Sequence, residues 1–92
     1  MTLGQRAERL KAGYLNGKEV IKFMQYLGYE FNNQGFTTIR AERTPSVRVR
    51  KDGLIKDFGS GWSGDLIALL QEYHGLSFKE AVEYIEKVFN VS

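Results

Sequence analysis

At 92 residues the chain is long enough for one modest core and too short for two. An apolar fraction of 42% places it among folded globules, and the absence of cysteine excludes disulfides and thiolate zinc sites. The net charge is only +2, but the middle of the chain sets Arg40, Arg43, Arg48, Arg50, Lys51 and Lys56 against Glu42, Asp52 and Asp57. That basic stretch either faces a polyanion or is an ordinary solvated strand surface; the acidic tail cannot share the first role. The opening MTLGQRAERLKAG lacks the apolar stretch of a signal peptide, and the longest apolar run, Leu66 to Leu70, falls far short of a membrane span. A cytoplasmic protein with no membrane partner is the expectation.

Thr2 and Gln5 form a capping-box pattern, and Leu3, Ala7 and Leu10 follow at helical spacing up to Gly13. Asn16 can cap a second helix with Glu19 at its third position. Its apolar face is Val20, Ile21, Phe23, Met24 and Leu27, and Gly28 stops it. After the turn at Asn32 to Gly35 the period changes to two. Phe36 to Arg40 is a short strand candidate. Ser46 to Arg50 alternates, so Val47 and Val49 face the core while Arg48 and Arg50 face water or a ligand. Asp52-Gly53 favours a tight hairpin, with Leu54 to Phe58 returning.

Ser63-Gly64-Asp65 opens a third helix carrying Leu66, Ile67, Leu69, Leu70 and Tyr73, ended by Gly75. Ser77 and Glu80 make a second capping box, followed by Ala81, Val82, Ile85, Val88 and Phe89. The predicted order is helix, helix, three short strands, helix, helix. This is an α+β fold, a small antiparallel sheet flanked by N-terminal and C-terminal helices in one domain over residues 1–92.

Gly59-Ser60-Gly61-Trp62-Ser63-Gly64 fits the G-x-G-x-x-G pattern of dinucleotide sites. That fingerprint needs a parallel strand–helix–strand unit, whereas here a helix follows the helix, so the glycines are read as a tight turn. His74, the lone histidine, sits near a helix end and is read as a partner of the helix C-terminus. The basic residues Arg48, Arg50, Lys51 and Lys56 on the hairpin suit phosphates. Trp62 is either a stacking platform for a base or a core or edge tryptophan, and Phe36 and Phe58 are read as core.

The run RTPSVRVRKDGLIKDFGSGWSGDLIALLQEYHGLSFKEAVEYI, Arg43 to Ile85, resembles the zinc-binding domain at the N-terminus of DnaG-type bacterial and phage primases. Thr44-Pro45-Ser46, Phe58-Gly59, Gly61, Ser63-Gly64-Asp65, Gly75 to Phe78 and Glu80-Ala81-Val82 stand where that family has them. A weaker likeness extends over residues 17–89. The resemblance implies a zinc-ribbon-like fold and places the four ligand positions on Thr37, Arg40, Asp57 and Ser60. None of these is Cys or His, so a degenerate finger that binds no metal or other cofactor is expected. Arg40 and Asp57 either form a bidentate pair where the metal would sit, helped by the Thr37 and Ser60 hydroxyls, or have drifted apart as solvated residues.

The resemblance also implies a non-catalytic module of DNA replication, from a bacterium, phage or mobile element. Its contact is weak, salt-sensitive binding of single-stranded template through Arg40, Arg43, Arg48, Arg50, Lys51, Lys56 and Trp62. Two alternatives stay open. One is docking on a primase, helicase or other replication protein with DNA binding lost; the other is a primase fragment active only with a partner chain.

Overall fold

Thr2 and Asn16 start the two N-terminal helices. The computed structural model describes residues 1–41 and 43–91; Glu42, counted above among the acids of the middle segment, lies outside the described residues. Helix α1 is Leu3–Gly13, with the Thr2 hydroxyl accepting from the Gln5 amide at 3.1 Å and the Gln5 side chain accepting from the Thr2 amide at 2.8 Å. Helix α2 is Gly17–Tyr26, capped by the Asn16 side chain, which accepts from the Glu19 amide at 3.0 Å.

Among the described residues four short strands follow: β1 (Phe36–Thr37), β2 (Val47–Val49), β3 (Ile55–Asp57) and β4 (Ser63–Gly64). They form an antiparallel meander in chain order. The sequence predicts three. The fourth escapes it because two residues behind a glycine-rich turn show no alternation, yet their backbones pair with Lys56 and Ile55. Ser63 and Gly64 therefore belong to the sheet, and helix α3 (Leu66–His74) begins only after Asp65, whose carboxylate accepts from the Ala68 amide at 2.8 Å. The antiparallel β3–β4 pairing also removes the dinucleotide reading of the glycines. Helix α4 is Phe78–Phe89 and carries the second capping box.

The pleat sorts the sheet into two faces. Thr37, Val47, Ile55 and Asp57 are buried on the inner one. There α2 packs on β2 and α3 on β4, while α1 and α3 both pack on α4. The core joins Val47 and Ile55 to Met24, Leu66, Leu70, Val82 and Ile85. Val88, one of the apolar residues of α4, is 38% exposed, because the helix turns it to the rim of a cleft between α2 and α4. Arg6 on α1 is clamped to Glu86 on α4, Nε to Oε2 at 3.0 Å.

The β2–β3 connection, Arg50 to Leu54, turns at Lys51 to Gly53 and is closed by the Arg50 amide on the Leu54 carbonyl and by Gly53 at φ +92°. Its tip is wedged against the α1–α2 junction. The Gly17 amide donates to the Lys51 carbonyl at 2.8 Å, and a Cβ on Gly53 would lie 2.0 Å from the Leu15 carbonyl oxygen. Among the described residues, no helix is long and apolar enough to cross a membrane.

Candidate nucleic-acid face and the former metal positions

Alternation from Ile55 carries Asp57 inward, to 0% exposure. A buried carboxylate is tolerated only when its lone pairs are filled. Here Arg40 Nε donates to Oδ2 at 2.8 Å, and the Ser60 hydroxyl donates to the same oxygen at 2.8 Å. Oδ1 accepts from the Ser46 hydroxyl at 2.8 Å, the Gly59 amide at 2.9 Å and, at a longer 3.4 Å, the Ser60 amide. The Arg40 guanidinium, working against the burial and helped by these hydroxyls and the Gly59 amide, holds the Asp57 carboxyl well below the usual carboxylate range. Asp57 thus gathers the chain after β1, the start of β2 and the Gly59–Trp62 turn on one group.

The expected Arg40–Asp57 pair is formed, though through Nε alone among the described contacts and not as a fork. Ser60 plays the anticipated part; Thr37 does not. Its side chain is buried in β1 opposite Val47, and among the described hydrogen bonds none joins its hydroxyl to the pair. Ser46 takes that place. Its signal was the adjacency of Thr44-Pro45-Ser46 to the strand, since pairing Val47 with Asp57 brings the preceding serine to the carboxylate.

Zinc does not fit these residues. Arginine has no lone pair to give, hydroxyls are poor ligands, and the oxygens of Asp57 already accept five donors. Among the described residues no group of three His, Cys, Asp or Glu is placed to hold a metal ion.

The outer face of the sheet is chemically different. Phe36, Arg48 and Lys56 are successive cross-strand partners, with Ser63 completing the row. Arg48 lies over the Phe36 ring at 5.4 Å and Lys56 over the Phe58 ring at 5.2 Å. The two rings are 6.5 Å apart and inclined by 59°. Phe58, expected in the core, is 60% exposed, because it leaves β3 on the same side as Lys56 while Asp57 goes inward. Phe36 is only half-buried, on the same outer row.

The remaining predicted contacts are scattered. Arg50 is paired with Asp52 at the hairpin, Nη2 to Oδ2 at 3.0 Å, and Lys51 is exposed in the loop. Arg43 lines a polar hollow with Tyr29, Thr38 and Pro45. Trp62 packs edge-on against Tyr73 of α3, ring centres 5.3 Å apart, and covers Gly64. It is a half-buried edge tryptophan on the helix side, away from the basic row. His74 accepts or donates at 2.7 Å to the Tyr29 hydroxyl, so its partner is a side chain of the α2–β1 segment.

Residues 20–92 match the CHC2 zinc finger of DnaG, and the chain belongs to that family as a member with none of its zinc ligands. A DNA primase of Clostridium acetobutylicum is 36% identical over 62 residues, 66% of this chain and 10% of that primase. The chain thus spans about a tenth of the length of the curated relative it matches. No solved structure matches it.

Proposed function

We propose that the domain is a non-catalytic nucleic-acid-binding module that contacts single-stranded template in DNA replication. The observation that carries this reading is the pair Arg48 and Lys56, directly opposite each other on the solvent face of the sheet and in no ion pair among the described residues. Like charges facing each other across strands destabilise a sheet, and an anion binding there relieves the cost. Kinship with a primase supports the choice of DNA. With so few cations the affinity is micromolar or weaker and falls with salt.

The test is fluorescence anisotropy with a labelled single strand at low salt. Arg48→Ala, Arg50→Ala and Lys56→Ala together abolish binding while the circular dichroism stays unchanged. Binding that survives the triple substitution overturns the assignment to this face. No binding by the unmutated domain leaves docking on a replication protein as the reading.

A further inference from the structure

We propose that Phe36 and Phe58 form a stacking site for two neighbouring unpaired bases, and that Arg48 and Lys56 leave the rings for the flanking phosphates as the bases arrive. This rests on the single-strand reading above and adds to it a base-binding step. Both phenylalanines stand on the outer face, Phe58 exposed and Phe36 half-buried, and neither belongs to the inner core. Their open ring faces are marked by the cations that now cover them at 5.4 and 5.2 Å.

The ring geometry selects the ligand. Successive bases in a duplex strand lie parallel, about 3.4 Å apart along the axis. The rings here are 6.5 Å apart with planes inclined by 59°. Bases lying flat on both must be separated and tilted from each other, which a paired strand does not permit and a single strand does.

The exchange is favourable on general grounds. A base on an aromatic ring is worth more than an exposed cation above it, and the displaced cation regains a charged partner in the phosphate. Arg48 and Lys56 are long, exposed side chains opposite each other on adjacent strands, able to swing without disturbing the core.

The test compares a labelled oligothymidylate with an abasic oligomer of equal length and charge, in both low and moderate salt. The abasic strand binds at least about 5-fold more weakly, since stacking even one base contributes about that factor, while the salt slopes agree. Phe36→Leu with Phe58→Leu erases the difference and keeps the slope; Phe58→Leu alone, at the more exposed ring, reduces it should the double variant misfold. Arg48→Gln alone, with Lys56 still holding phosphate, weakens both oligomers and lowers the slope but leaves the preference for bases at least as large, the Phe36 ring being uncovered. Equal binding of both oligomers overturns the stacking site while leaving the phosphate-binding reading intact. Failure of both to bind at low salt overturns the two together.

Discussion

Asp57 gathers at one residue the contacts that a structural zinc ion makes in a zinc finger. A structural zinc contributes roughly 10–16 kcal/mol of apparent binding energy, whereas a hydrogen bond to a charged group contributes about 1.5–3 kcal/mol. The Asp57 network is therefore a local clasp, and the burial of Val47, Ile55 and the helices must supply the remainder. Arg40→Ala strands the buried carboxylate with its other donors and is expected to cost about 1.5–3 kcal/mol in a urea melt. Asp57→Ala removes the hub and costs at least as much.

The pH dependence follows from the sign of the shift. The folded carboxyl titrates below its unfolded value of about 3.9. Its stabilisation is thus fully present above that value and lost as pH falls through the folded one. The stability gap between the unmutated domain and Asp57→Asn should be constant from about pH 7 to pH 5 and narrow only below about pH 4. A gap that closes near neutrality contradicts the account.

At the scale of elements, the β2–β3 hairpin joins the two halves of the molecule: its inner residues enter the core, its outer row offers cations, and its tip locks onto the α1–α2 junction. Gly53→Ala meets both a positive φ and the Leu15 carbonyl oxygen, so it should destabilise by more than about 1 kcal/mol. Little change in melting temperature would show that the tip is loosely docked. Helix starts and the hairpin were legible in the sequence because caps and alternation are local signals, as at Thr2, Asn16, Ser77 and Val47 to Val49. β4 was not, since Ser63 and Gly64 are held by backbone pairing with residues their side chains do not announce. Phe58 left the core expected of it, and Trp62 took the edge position that was one of its two readings, for a related reason. Composition alone sends a phenylalanine inward, but the pleat after Asp57 turns it out, while the turn lays Trp62 on Tyr73. The Arg40–Asp57 pair was legible only through the family spacing, and Ser46 required the strand register.

Taken as a whole, the molecule keeps helices on one side of its sheet and leaves cations and rings on the other. Such a division suits a domain that holds a strand without enclosing it. With the Asp57 oxygens filled by protein donors, that face is expected to work without zinc. The most direct test is anisotropy titration of the unmutated domain, in excess chelator, against single-stranded and duplex DNA at about 50 and 200 mM salt. With two to three phosphate contacts and a slope of about −0.7 per contact, single-strand affinity should fall about 7- to 20-fold over that range. Binding that persists in chelator, prefers the single strand and falls by this factor is the predicted result; binding that appears only when zinc is added, or none even at the lower salt, would contradict it.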